Sequence, residues 1–229
     1  MSYFYLKSYP RSERVRLRAR RQAWRLVSWG LVTAGLALVV SAVGPIVAYQ
    51  IKKAGFAPRI VSPMTAAATT EEYLQPANWF VGAPVLPPAP SAITSYGLSI
   101  PKLKIKEAVV EIGGEDLGKA MVHYLGTALP GQLGNAVIFC HSVLPQFFNP
   151  RNYKTICSTL PMLKKGDRVI VNFDGIEYQY RVYEMLEVGP DDVTVLEQHH
   201  DNSYLSMITC VPPGTYLRRL IVRAELVGR

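Results

Sequence analysis

The sequence predicts a mainly β domain, closed into a barrel with short helices, preceded by one membrane-spanning helix. Two observations predict the barrel. Between Tyr96 and Arg229 the chain carries seven short apolar or alternating runs, each bounded by Gly, Pro or Asp. Asp174-Gly175 sits between two of them, a strong hairpin signal. Seven or eight strands in so short a domain favour closure over an open sheet with two bare edges. The third observation concerns the amino terminus, where Leu26 to Ile51 holds no charged residue.

The formal charge of +8 on 229 residues is concentrated at that end. Residues 1–25 hold eight Lys/Arg (Lys7, Arg11, Arg14, Arg16, Arg18, Arg20, Arg21 and Arg25) and only Glu13 against them, so they carry +7 and leave the rest near neutral. The basic character therefore belongs to a tail and gives no support to a nucleic-acid-binding domain. The uncharged stretch that follows is long enough for a bilayer core, which needs about 20 apolar residues in helix. Trp24, Trp29 and Tyr49 stand at its ends as interfacial aromatics do. Pro45 would kink the helix, which a span tolerates. A cleavable signal peptide usually has an apolar region of only ~7–15 residues. The excess of basic residues before the span, against Lys52 and Lys53 after it, predicts a cytoplasmic amino terminus and an extracellular main domain. The expected organisation is a basic cytoplasmic tail (1–25), a transmembrane helix (26–49), an extracellular Pro/Ala/Thr-rich linker (50–95) and the main β domain (96–229).

Within the linker, Trp79 and Phe80 are exceptions to a Pro/Ala/Thr-rich composition. They are expected to pack back on the domain, with cover of its site as the second reading. In the domain, strands are expected at Gly97–Ile100, Ala108–Ile112, Ala136–His141, Arg168–Phe173, Ile176–Val188, Tyr204–Cys210 and Leu217–Val227. Short helices are expected at Asp116–His123, at Asn152–Leu160 and at Val193–Gln198, the last with an aspartate N-cap. No internal repeat and no phosphate-binding glycine loop stands out.

Three residues carry candidate chemistry. Cys210 ends an apolar strand, and a thiol at a strand end near a fixed cation makes a nucleophile. Arg219 opens the next strand. His141 ends the strand Ala136–His141 and can serve as acid and base. Arg218 competes with Arg219, but alternation puts the two on opposite faces, so only one enters a groove. His199-His200 lies in a polar stretch and reads as solvated loop, and His123 reads as a helix-end residue. Alternation likewise separates Cys140 from His141, so Cys140 reads as core. A sharper alternative has Cys140 reaching Cys210 as a redox lock. Cys157 reads as a buried helix residue, and three cysteines do not look like a disulfide scaffold.

Taken in order, these segments resemble the sortase family, the membrane-anchored cysteine transpeptidases of bacterial surfaces. The resemblance rests on Leu98-Ser99-Ile100-Pro101-Lys102-Leu103, on Gly126-Thr127-Ala128-Leu129-Pro130-Gly131-Gln132 with Gly134-Asn135 leading to His141, and on Leu163-Lys164-Lys165-Gly166-Asp167. It continues through Tyr178-Gln179-Tyr180, Pro190 with Asp192, Ile208-Thr209-Cys210 and Arg219-Leu220-Ile221-Val222. It departs at Cys140, where the family usually has glycine. The resemblance implies an eight-stranded sortase-type barrel with Cys210 as nucleophile, His141 as acid and base, and Arg219 holding substrate and oxyanion. It also implies cleavage of an LPXTG-like sorting signal through a thioester, with transfer of the surface protein to an amine on a cell-wall precursor or a pilin lysine. The expected partners are therefore surface proteins with C-terminal sorting signals, an amine acceptor and membrane lipid. No cofactor, metal or nucleic acid is expected. A cysteine peptidase on the same barrel and an inactive surface-binding domain are the alternatives; the complete set of His141, Cys210 and Arg219 argues against the second. A lid at Tyr73–Val81 is conceivable, though no Asp-Pro-aromatic motif marks one.

Overall fold

The computed structural model describes residues 11–52, 74–80, 82 and 92–228. Most of the expected linker, including Tyr73 and Val81, lies outside the described residues. Helix α1 (Arg11–Lys52), up to Ala48, belongs to one unit, and the barrel belongs to a second that begins at Tyr49. In α1 the stretch Trp24–Tyr49 has 26 residues and a mean hydropathy of 2.2. At 1.5 Å per residue it is about 39 Å long, more than a hydrocarbon core requires. Its apolar side chains, among them Leu26, Trp29, Leu31 and Leu38, are exposed.

The second unit is a closed eight-stranded barrel in the order β1-β2-β3-β4-β7-β8-β6-β5. The strands are β1 (Ser95–Ile100), β2 (Ile105–Ile112), β3 (Met121–His123), β4 (Gly134–Phe139), β5 (Arg168–Phe173), β6 (Ile176–Val188), β7 (Ser203–Val211) and β8 (Arg218–Gly228). Pairings β2–β3 and β4–β7 are parallel and the other six antiparallel. The β5–β6 hairpin turns on Asp174 (φ 52°) and Gly175 (φ 72°), the left-handed pair that a two-residue hairpin turn demands.

The barrel interior is filled by one face of each strand: Leu98 and Ile100 from β1, Val110 from β2, Ile138 from β4, Val169 and Val171 from β5, Tyr180 and Val182 from β6, Leu205 and Met207 from β7, and Val222 and Ala224 from β8. Tyr180 is buried without losing its polar bonds, since its hydroxyl accepts from the Gly131 N–H at 2.8 Å and meets Ser203 Oγ at 3.1 Å. A second apolar cluster lies on the outer face of β4, β7 and β8. Val137, Phe139, Ile208, Cys210 and Ile221 form it with Trp79, Phe80, Leu117, Val195 and Leu196.

Two of the three expected helices are different structures. Asp116–His123 is a turn followed by β3, whose three residues are all buried. His123 is thus no helix end: its Nδ1 meets Tyr96 Oη at 2.8 Å and its Nε2 meets Thr127 Oγ1 at 3.1 Å. Asn152–Leu160 is a run of turns closing in a 3-10 helix at Leu160–Met162. At the third, Val193–Leu196 forms a 3-10 helix capped by the Asp192 side chain, which accepts from the Thr194 N–H.

Candidate active site

Strand register brings Cys210 and Arg219 together. They are direct cross-strand partners in the β7–β8 pair, with Val211 opposite Arg218. Alternation then does what the sequence requires of it. Arg219 turns to the outer cluster and is 1% exposed, while Arg218 turns away. Arg218 is not solvated as expected: it donates to the Glu187 carbonyl at 2.8 Å and pairs with the Glu187 carboxylate at 3.8 Å.

Parallel pairing of β4 and β7 brings in His141. Phe139 lies opposite Ile208, and Cys140 donates from its N–H to the Ile208 carbonyl at 3.0 Å. Two side-chain bonds lace the strand ends beyond that point. Thr209 Oγ1 donates to the Cys140 carbonyl, and Ser142 Oγ donates to the Cys210 carbonyl, each at 2.9 Å. His141 is held between them. All three expected site residues thus lie at one end of adjacent strands.

The imidazole is oriented by a backbone carbonyl. His141 Nδ1 lies 2.7 Å from the Lys154 carbonyl oxygen. A carbonyl only accepts, so Nδ1 carries the proton and neutral His141 presents a bare lone pair at Nε2. Nε2 is buried and makes no hydrogen bond. Burial holds the His141 pKa below its ordinary 6.5, opposed by the Lys154 carbonyl bond and reinforced by the Lys154 charge. Burial also pushes the Cys210 thiol up from its ordinary 9.0 to about 11, while the Arg219 guanidinium pulls it down. At neutral pH the resting pair is a thiol and a neutral imidazole.

Arg219 is neutralised by no carboxylate among the described residues. Its Nε donates to the Trp79 carbonyl at 3.1 Å and its terminal nitrogen to the Tyr216 carbonyl at 3.0 Å. Its guanidinium carbon lies 5.5 Å from the Trp79 ring centroid. A buried, hydrogen-bonded but unneutralised cation is suited to a developing oxyanion. Trp79 therefore does more than pack. It sits edge-on to Phe139 at 5.5 Å, follows a 3-10 turn at Pro76–Asn78, and shares one cluster with Cys210.

Cys140 and Cys157 form a disulfide with Cα atoms 5.9 Å apart. This corrects two expectations: Cys140 is not bonded to Cys210, and the barrel domain does contain a structural bridge. Cys210 is the free cysteine. Alternation explains the choice, because Cys140 and Cys157 face the barrel interior and Cys210 the outer cluster. A parity argument would have found the bridge: with one cysteine reserved as nucleophile, an even pair remains in a domain expected outside the cell.

A family model described as the sortase domain matches residues 98–227. This chain belongs to the sortase family. It is 28% identical to Sortase A of Streptococcus agalactiae over 131 residues, which cover 57% of this chain and 51% of that protein. Among solved structures it resembles sortase C-1 of Actinomyces oris, with a TM-score of 0.52, 26% identity and coverage of 61% of this chain and 77% of the other. It also resembles a lid mutant of sortase A from Corynebacterium diphtheriae, with a TM-score of 0.52, 25% identity and coverage of 84% and 95%. The matches to curated sortases span 33% to 62% of those relatives' lengths.

Proposed function

We propose that this sortase is a membrane-anchored cysteine transpeptidase. In this reading it cleaves an LPXTG-like sorting signal and transfers the surface protein to an amine. The observation that carries it is the cross-strand pair Cys210–Arg219 beside an imidazole whose Nε2 lone pair is uncommitted. Cys210 gives its proton to His141 Nε2, and the thiolate attacks the threonine carbonyl of the signal. The oxyanion forms against Arg219. As the tetrahedral intermediate collapses, the carboxyl-side fragment leaves as an amine and takes the proton from Nε2, leaving a thioester on Cys210. An incoming amine loses a proton to Nε2, attacks the thioester and displaces the thiolate, which recovers that proton.

The anchor reading rests on α1 and the basic residues before its apolar stretch, which favour a cytoplasmic amino terminus and an extracellular barrel. A disulfide in the barrel supports the same side of the membrane, since such bonds persist in oxidising surroundings. Mass spectrometry of the full chain with a peptide library tests the site: an acyl adduct is expected on Cys210 and is abolished in Cys210→Ala. An adduct that survives Cys210→Ala overturns the assignment. Adding an amine tests the class, because product partitioning that ignores the amine makes the protein a peptidase instead.

A further inference from the structure

The connection from His141 to Thr159 contains no strand and only a single 3-10 turn, at Pro145–Phe147. Yet this connection supplies the carbonyl that fixes the His141 tautomer. Its return to the histidine is made at three points. Cys157 is bonded through sulfur to Cys140, the residue immediately before His141. The Cys157 N–H donates to the His141 carbonyl at 3.1 Å. Two residues after the histidine, the Val143 N–H donates to Ser158 Oγ, the neighbour of Cys157, at 2.9 Å.

Lys154 lies three residues before Cys157 and is tied to it by local turns. The Lys154 N–H donates to Asn152 Oδ1, the Thr155 N–H to the Asn152 carbonyl and the Ser158 N–H to the Thr155 carbonyl. Thr155 Oγ1 accepts from the Asn149 N–H. The chain from Lys154 to Ser158 is therefore one compact knot, and its covalent fastening to the barrel is the sulfur–sulfur bond. Both cysteines are fully buried in the interior cluster, so that end of the knot is anchored in the core.

We infer that Cys140 and Cys157 are positioning residues for the reaction: their disulfide holds the Lys154 carbonyl on His141 Nδ1 and so keeps Nε2 bare and aimed at its proton-transfer role. The hydrogen bonds alone are exchangeable with water, whereas the covalent tie limits how far the knot can leave the histidine. Cutting it leaves Cys210, Arg219 and their cross-strand register untouched. The loss falls on proton transfer rather than on substrate binding. The inference rests on the proposed role of His141 as acid and base.

The test compares three forms of the full chain in detergent: the oxidised protein, the Cys140→Ala/Cys157→Ala variant, and wild type reduced by a phosphine. The phosphine supplies two electrons and, with water, yields two thiols and a phosphine oxide. Two readouts are taken. Nitrogen NMR shifts of His141 report the tautomer, and steady-state cleavage of a sorting peptide gives kcat and KM. The oxidised protein is expected to hold the Nδ1–H tautomer and the other two forms a mixture. In those forms kcat should fall at least about tenfold with KM nearly unchanged, since general acid–base catalysis is worth roughly 10²–10⁴. The acid limb of the pH profile should move up toward the ordinary histidine value as water reaches the ring. An unchanged tautomer and kcat in both altered forms overturns the inference, as does finding Cys140 and Cys157 as free thiols in the oxidised protein. Should the variant unfold, the reduced wild type decides. Absence of any Cys210-dependent adduct would instead sink the functional reading, and the tautomer measurement would still judge the tie.

Discussion

Replacing Trp79 with alanine is expected to expose and activate Cys210. Trp79 is 1% exposed, it packs on Phe139, and it belongs to the cluster that buries the thiol. Burial is the largest influence on Cys210, lifting its pKa from 9.0 to about 11. If truncation lets water reach the sulfur, the pKa returns toward 9.0, and thiolate at neutral pH rises by up to about 100-fold, tenfold for each unit. A less basic thiolate is also a weaker nucleophile, with a Brønsted slope of about 0.4–0.5, which takes back roughly eightfold. The net expectation is a rise of about tenfold in the rate of alkylation of Cys210, before any gain from steric access. The assay is iodoacetamide labelling at neutral pH, followed by intact-mass spectrometry, with the Cys140–Cys157 bridge intact so that only Cys210 reacts. A labelling rate within twofold of wild type refutes the reasoning, because it would mean that Trp79 contributes nothing to the burial of the thiol.

Other consequences are open to simpler measurements. Arg219→Ala should lower kcat by about 10²–10³, the usual cost of losing an oxyanion donor, while Arg218→Ala should leave kcat nearly unchanged; equal losses in the two would contradict the face assignment. Burial holds His123 neutral, with its pKa lowered from 6.5 to about 4. A histidine depressed in the folded state contributes stability that is complete above pH 6.5 and is lost as pH falls through about 4, worth roughly 3 kcal/mol by linkage. Thermal melts across that window should show the loss in wild type and a shallower one in His123→Gln; parallel curves would count against it. The Cys140→Ala/Cys157→Ala variant should unfold at lower denaturant, by about 3 kcal/mol for a closed loop of this length. A change below ~0.5 kcal/mol would show that the reduced chain already restricts that loop.

Most strands were legible because alternation and turn residues are local signals. Asp174-Gly175 fixed its hairpin, and β5 and β6 run over the residues expected of them. Alternation put Arg218 and Arg219 on opposite faces, and the resemblance to sortases, aligned on Leu220-Ile221-Val222, chose Arg219 between them. Three features were not legible, for a shared reason. Strand β3 is three buried residues held by a parallel partner on one side, so it has no alternation of its own to display. Trp79 meets Arg219 across 140 residues of chain, and nothing local to either announces the other. The carbonyl that orients His141 belongs to Lys154, and a backbone atom leaves no mark on the choice of side chain. The sequence can name side chains that do chemistry; it is poorer at naming what holds them still.

The Cys140–Cys157 bridge also bears on the chain before it folds. Three thiols allow three pairings, and two of them would consume Cys210, the proposed nucleophile. The separation of 17 residues makes 140–157 the shortest loop of the three. Loop-closure probability falls as roughly the −3/2 power of length, so random encounter favours this pair about five- to eightfold over either pairing with Cys210. A chain oxidised before its barrel closes therefore tends to use up its two spare thiols on each other. The cysteine nearest the carboxyl terminus reaches the finished fold unspent.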